Sequence, residues 1–240
     1  MNKEKLLYEN SKHALQSDNI IAITNRHLCS RPFMEQLERV CKLHPHAIVL
    51  REKDMPEAEY LSLARDVIAL CKKYAVQCML HSFMNVAMEL EHPYIHLPLP
   101  ILEAYVKKNV SGNISTGMSK STDNYQQFFK VIGTSVHSVE DAIKAEQLGA
   151  TYMTAGHIFA TDCKKGLPPR GLDFLKNVCD AVGIPVYAIG GINIASNNNS
   201  TASDSPSTYD AVPDISVPRL ADVMKCGAAG GCIMSGMMRV

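Results

Sequence analysis

The chain has 240 residues, with 24 basic and 24 acidic side chains and a formal net charge of zero. Its apolar content of 46% is enough for a substantial core, in one large domain or two small ones. Nucleic acid and anionic membranes both require a basic surplus, so neither is expected as a partner, and no apolar run approaches the roughly 20 residues that span a bilayer.

Short apolar segments alternate with amphipathic ones along the whole chain. The short segments are rich in β-branched residues and predict buried strands, whereas the amphipathic ones predict helices. The predicted strands are 20–24, 46–51, 76–81, 94–98, 129–136, 150–156, 184–191 and 230–236. The predicted helices are about 32–42, 56–75, 84–91, 101–108, 138–149, 171–182 and 216–227.

Buried strands joined by helical crossovers imply a parallel sheet. Eight repeats in this length predict an α/β fold, a (β/α)₈ TIM barrel formed by 1–240 as a single domain, with a doubly wound open sheet as the alternative. Only four residues follow Gly236. This leaves open a barrel that lacks its last helix and is covered instead by a predicted helix at 3–16.

Two polar segments interrupt the pattern. Residues 109–126 show no periodicity and predict a loop. Residues 193–214 are rich in Ser, Asn, Asp and Thr, and predict a mobile low-complexity insertion because they cannot bury enough apolar surface to offset their ordering entropy.

The eight cysteines are scattered, without a C-x-x-C pair, and the first residues lack the apolar core of a signal peptide. We therefore expect reduced thiols in a cytoplasmic protein. The histidines and cysteines form no cluster with zinc-site spacing, so no metal site is predicted. Cys163, beside two lysines, could be an activated nucleophile or a bystander, and the absence of any surrounding reaction signature favours the bystander.

In such a barrel the working groups lie where strands end and loops begin. The exits of the seventh and eighth strands read AIGGI and MSG, and glycines let backbone N–H groups approach an anion closely. Gly190, Gly191, Ser235 and Gly236 are therefore candidates for a phosphate site, with two tight turns as the alternative.

Charged and titratable groups stand at two other strand exits. Arg51 and Lys53 lie two apart in REKD and could bind a carboxylate or phosphate, or could instead form internal ion pairs with Glu52 or Asp54. His137 follows the fifth strand and could exchange a proton near neutral pH, or could simply pack or cap at the junction.

The order REKD, GTSVHS, GHIFATDCKKG, AIGGI and MSG resembles the thiamine phosphate synthase superfamily, from about Ile21 to Gly236. That superfamily has a (β/α)₈ barrel. GHIFATDCKKG resembles its thiazole tautomerase (TenI-type) branch. The synthases carry aspartates for Mg²⁺-diphosphate after strands three and four, where this chain reads LHS (80–82) and HLPLPI (96–101). Val49 also stands where the synthases have a glutamine.

The resemblance implies an isomerase that converts a thiazole phosphate carboxylate to its aromatic tautomer, without metal or cofactor. His137 would shuttle the proton, Arg51 and Lys53 would neutralise the carboxylate, and Lys164 would contact the ligand. The backbone of Gly190, Gly191, Ser235 and Gly236 would hold the phosphate. Asp162 would order the loop.

Two alternatives remain open at this point. One is a thiamine phosphate synthase that couples a pyrimidine diphosphate to a thiazole phosphate with unusual charge compensation. The other is a non-catalytic, thiamine-related regulatory protein. A homodimer is also left open, because barrels with exposed apolar helix faces often associate.

Overall fold

The computed structural model describes residues 19–112, 128–161, 164–195 and 216–240. Eight parallel strands pair in chain order, and the eighth pairs with the first to close the barrel. The predicted (β/α)₈ barrel is therefore confirmed, and the open sheet is excluded. The strands are β1 (Ile20–Ile23), β2 (Ala47–Leu50), β3 (Gln77–His81), β4 (Tyr94–Pro98), β5 (Val131–Val136), β6 (Tyr152–Gly156), β7 (Val186–Ile189) and β8 (Gly230–Ile233).

Seven helices lie between the strands in the described ranges, each where one was predicted. They are α1 (Phe33–Lys42), α2 (Glu57–Lys73), α3 (Met84–Glu89), α4 (Leu99–Gly112), α5 (Val139–Gln147), α6 (Gly171–Ala181) and α7 (Leu220–Lys225). The structure corrects one boundary: α4 continues through 109–112, which were predicted as loop. No proline or glycine interrupts the chain there before Gly112.

The segment after β8 forms a turn rather than a helix in the described residues. The amide of Met238 donates to the carbonyl of Met234 at 3.1 Å, and Met237 and Met238 are buried. The side-chain amide of Gln36 on α1 donates to the carbonyl of Val240 at 3.2 Å. The predicted cover at 3–16, nearly all of the predicted insertion at 193–214, and the rest of the predicted loop at 113–126 lie outside the described residues.

Strand alternation divides the apolar residues into two clusters. Ile20 and Ala22 pack outward against the helices, whereas Ile21 and Ile23 belong to the smaller cluster inside the barrel. Tyr152 fills much of that interior, and a Cβ on Gly133 would lie only 2.1 Å from its ring. Bulky side chains thus close the amino-terminal part of the barrel and leave room at the carboxyl ends of the strands.

No helix among the described residues has the length and apolar character needed to cross a membrane. The seven cysteines in the described ranges are free thiols, and Cys163 lies outside those ranges.

Candidate functional site

A cavity of about 600 Å³ opens at the carboxyl ends of the strands, within the size range of small-molecule sites. Seven of the eight predicted site residues line it: Arg51, Lys53, His137, Lys164, Gly190, Gly191 and Ser235. Gly236 follows Ser235 in the turn but is not part of the lining. Asp162 lies outside the described residues.

The two acidic residues of REKD, Glu52 and Asp54, both pair with Arg26, which was not among the predicted site residues. Glu52 is 2% exposed, accepts a hydrogen bond from Thr24 at 2.7 Å and pairs with Arg26 at 3.0 Å. Asp54 pairs with the same guanidinium at 2.7 Å. Glu52 therefore turns into the barrel wall, while Arg51 and Lys53, on either side of it, line the cavity.

Two cations, Arg51 and Lys53, stand at the exit of β2 beside the histidines of β3 and β4. Burial and the neighbouring Arg51 lower the pKa of Lys53. Burial, together with His96, Arg51 and Lys53, lowers the pKa of His81 to about 3, and burial with Arg51 lowers that of His96 to about 4. Both imidazoles are therefore neutral at pH 7 beside two cations. Such a site favours an anionic ligand.

His81 and His96 form a buried polar layer above the apolar interior. They face each other in register, with ring centroids 5.7 Å apart. His96 hydrogen-bonds the hydroxyls of Tyr152 and Ser135, each at 2.9 Å. Sequence reasoning placed these histidines at strand exits and considered them as metal ligands, but assigned them no role at the site. Their inward position on adjacent strands was the signal that places them at the cavity. His92, by contrast, bonds the carbonyl of Cys78.

His137 stands at the start of α5. Its backbone N–H donates to Asp141 at 3.1 Å. A Cβ on Gly156 would lie 2.7 Å from the His137 ring, so the glycine makes room for the imidazole. Burial lowers the pKa of His137, Lys164 lowers it further, and Asp141 opposes both. The neutral imidazole is available to hydrogen-bond a ligand.

His157 directly follows β6, at the start of the loop after that strand (the strand-six loop), and has a strained backbone. Its φ of 65° lies in the left-handed region, which is uncommon outside glycine and asparagine. The side chain is 5% exposed and lines the cavity, and its Nε2 has no hydrogen-bond partner among the described residues. A buried polar atom without a partner is costly, which points to a role in ligand binding.

The two glycines after β7 have a packing role as well. Gly190 has φ of 105°, and a Cβ there would lie 2.9 Å from the Cα of His157. The amide of Phe159 donates to the carbonyl of Gly190 at 3.0 Å. These glycines therefore let the strand-six loop approach β7 closely.

Backbone donors remain available at the exits of β7 and β8. In the parts of the chain that the structure describes, the amides of Gly190, Gly191, Ser235 and Gly236 donate no hydrogen bond. Clustered free amides form a concave donor site for an anion.

The donor set does not fit a magnesium ion. Mg²⁺ is usually held by one or two carboxylates together with water and substrate phosphate. Two carboxylates line the cavity, but Glu103 pairs with Lys144 at 2.7 Å, and Asp141 accepts the amide of His137. Within the described ranges, no three potential ligands group around a metal position.

The chain matches a protein-family model described as thiamine monophosphate synthase over residues 20–205. It is 34% identical over 178 residues to a putative thiamine-phosphate synthase 2 from Aquifex aeolicus, covering 74% of this chain and 87% of that protein. The chain belongs to this family. A thiamine-phosphate synthase from Caldanaerobacter subterraneus is 30% identical, with coverage of 72% and 75%. A solved thiamine phosphate pyrophosphorylase from Pyrococcus furiosus superposes with a TM-score of 0.65 at 25% identity, with coverage of 93% and 89%.

The predicted tautomerase activity is corrected by these relatives, which are named as synthases. The prediction depended on one loop motif and two missing carboxylates, whereas the similarity to synthases extends over most of the barrel. The physical argument was also incomplete. Arg51 and Lys53 bring positive charge to the exit of β2, next to the exits of β3 and β4 where the carboxylates are missing, so the loss of the carboxylates does not leave the cavity without groups that bind an anion.

Proposed function

We propose that the protein is a transferase that joins a pyrimidine diphosphate to a thiazole phosphate, forming thiamine phosphate. The observation that carries the proposal is that one cavity contains two separate groups of anion donors. Backbone amides cluster at the exits of β7 and β8, and cations cluster at the exit of β2. Two phosphorylated substrates need two such groups, one for each substrate.

The chemistry is a substitution. The thiazole ring nitrogen forms a bond to the carbon that carries the diphosphate, and the carbon–oxygen bond breaks with its electron pair on the leaving diphosphate. No oxidant, reductant or proton shuttle is required. The protein's tasks are to align the two rings and to stabilise the departing charge.

Each site residue has a proposed role in this reaction. Gly190, Gly191, Ser235 and Gly236 hold the phosphate of the thiazole through backbone amides. Lys164, on the adjoining strand-six loop, contacts that same phosphate. Arg51 and Lys53 contact the diphosphate. His137 hydrogen-bonds a substrate instead of shuttling a proton.

The cell compartment is part of the same proposal. A cytoplasmic setting is supported by the free thiols among the described cysteines, because glutathione and thioredoxin keep cytosolic thiols reduced. The substrates are small molecules, and nothing in the balanced charge of the chain favours nucleic acid or membrane as a partner.

The test incubates the purified protein with both substrates and measures thiamine phosphate and released diphosphate. Lys164→Ala should lower kcat/KM for the thiazole phosphate about 10-fold or more, because a charge-assisted hydrogen bond is lost. Lys165→Ala is the matched control: this neighbouring lysine is exposed and does not line the cavity. If neither product forms, with or without Mg²⁺, the proposal is wrong.

A further inference from the structure

The proposed diphosphate ligand is usually bound with a metal ion, but the described cavity residues do not fit one. A diphosphate leaving group carries about three negative charges at neutral pH, and enzymes commonly neutralise this charge with a divalent ion. Among the described residues, the two carboxylates that line the cavity already have protein partners: Glu103 pairs with Lys144, and Asp141 accepts the amide of His137.

Two cationic side chains line the cavity at the exit of β2. Arg51 and Lys53 leave β2 on the same side of the strand and line the cavity, next to His81 at the exit of β3. Glu52, which lies between them in sequence, points into the barrel wall and bonds Thr24 and Arg26. Guanidinium and ammonium groups bind phosphate oxygens directly, the first through two parallel hydrogen bonds.

Ser82 adds a polar group to the same exit. Its hydroxyl lies 2.8 Å from Nδ1 of His81, and its backbone has a left-handed φ of 68°. The amide of His81 donates to the buried hydroxyl of Tyr60 at 3.0 Å, and Tyr60 donates to the carbonyl of Leu50 at the end of β2. This chain of hydrogen bonds ties the exits of β2 and β3 into one rigid unit.

We propose that Arg51 and Lys53 bind the diphosphate directly, in place of a carboxylate-held divalent cation. This inference rests on the proposed function for the identity of the ligand, but it concerns binding alone. The part of the cavity that binds the diphosphate would then be formed by cationic side chains and neutral histidines, without a bound metal ion.

The test is calorimetric titration of inorganic diphosphate into the full-length protein, with thiazole phosphate in excess to occupy the amide cluster. One titration contains a chelator and the other contains Mg²⁺. Diphosphate should bind in the chelator, and Mg²⁺ should not tighten binding, because it lowers the charge of the ligand that the cations recognise. Binding only with Mg²⁺, or no binding in either buffer, overturns the inference.

Single-residue variants distinguish a direct contact between a lysine and the diphosphate from a general effect of the protein's positive charge. Lys53→Ala should weaken diphosphate binding about 10- to 100-fold in the chelator. Lys130→Ala removes the same charge from an exposed position at the opposite end of the barrel and should leave the affinity unchanged. Glu103→Gln should leave affinity unchanged or slightly tighter, because a nearby negative charge is removed. Equal effects of Lys53→Ala and Lys130→Ala, or a loss of binding in Glu103→Gln, contradict the direct contact.

Thiamine phosphate formation, measured on the same samples, distinguishes the two proposals. If diphosphate binds in the chelator but no thiamine phosphate forms in either buffer, the synthase proposal fails and the binding inference stands. If thiamine phosphate forms and diphosphate binding requires Mg²⁺, the synthase proposal stands and the binding inference fails.

Discussion

His157 combines two unfavourable features in one residue. Its backbone adopts a left-handed conformation, and its Nε2 is buried without a partner in the described part of the chain. Each feature costs free energy of the folded state. Such costs are tolerated at binding sites, where the ligand supplies the missing hydrogen bond. We therefore expect His157 to contribute more to ligand binding than to the stability of the free protein.

His157→Asn tests this division. Asparagine tolerates a left-handed φ, so the backbone is kept while the ring is removed. We expect the affinity for thiazole phosphate to fall about 10-fold, because one buried hydrogen bond to the ligand is lost. The free energy of unfolding should change by less than about 1 kcal/mol, because the ring nitrogen bonds nothing in the described residues. Calorimetry and urea denaturation measure the two quantities.

His92→Asn is the reciprocal control. Nε2 of His92 donates a hydrogen bond to the carbonyl of Cys78 at 2.8 Å, and the residue lies outside the cavity lining. This variant should lose stability and keep its affinity. If His157→Asn behaves like His92→Asn, then His157 has a structural role only.

The same residues show the limits of sequence reasoning. The position of His157 after a strand predicts that it lies at the cavity, but its left-handed φ and its close contact with Gly190, which is distant in sequence, are seen only in the structure. Whether Arg51 or Arg26 pairs with Glu52 also depends on the contact between β1 and β2. The sequence pattern predicts which residues lie at the strand exits. It does not predict which residues of neighbouring strands pair with them.

At the scale of the element, α5 begins with a capping box of unusual composition. Ser138 accepts a hydrogen bond from the amide of Asp141 at 3.0 Å, and Asp141 in turn accepts the amide of His137 at 3.1 Å. The arrangement resembles a capping box with Asp in place of the usual Glu, except that the Asp141 side chain binds the amide of His137 and not that of Ser138. Since His137 is the residue just before the cap, the helix terminus also fixes a site residue.

Ser138→Ala should lower the free energy of unfolding by about 1 kcal/mol, the usual cost of losing an N-cap side chain. It should also loosen the backbone of His137 and raise KM more than it lowers kcat, because positioning is lost before chemistry. Urea denaturation and steady-state kinetics check the two effects. Ser138→Asp retains a capping oxygen and should restore both. A stability loss without any change in KM would show that the cap does not position His137.

At the scale of the whole molecule, alternation along the strands decides what the barrel contains. Most inward-facing residues below the site, such as Ile21, Met79 and Tyr152, are apolar or aromatic, whereas the same side of β3 and β4 ends in His81 and His96. The short apolar, β-branched segments of the sequence were sufficient to predict eight buried strands. Closure between β1 and β8 was predictable only from the count of repeats, because no local signal encodes a contact across more than 200 residues.

This buried histidine layer makes the stability of the barrel depend on pH. The pKa of His81 is lowered from 6.5 to about 3 and that of His96 to about 4. Below pH 6.5 the unfolded chain therefore takes up protons that the folded protein does not. The free energy of unfolding is fully retained above about pH 6.5 and should fall as pH decreases toward 4, by about 1.4 kcal/mol per pH unit for each histidine.

Urea denaturation between pH 7 and pH 4 measures this slope. His96→Asn should reduce the slope by roughly one histidine's contribution, whatever its effect on stability at pH 7, because one buried proton acceptor is gone. His44→Asn is a matched control at an exposed position with φ of 48°, which asparagine also tolerates. The packing cost of the substitution changes the free energy of unfolding by the same amount at every pH. The slope of that free energy against pH therefore reports only the loss of the titrating histidine. Identical slopes in the two variants would mean that His96 is hydrated in the folded barrel and that the polar layer is open to solvent.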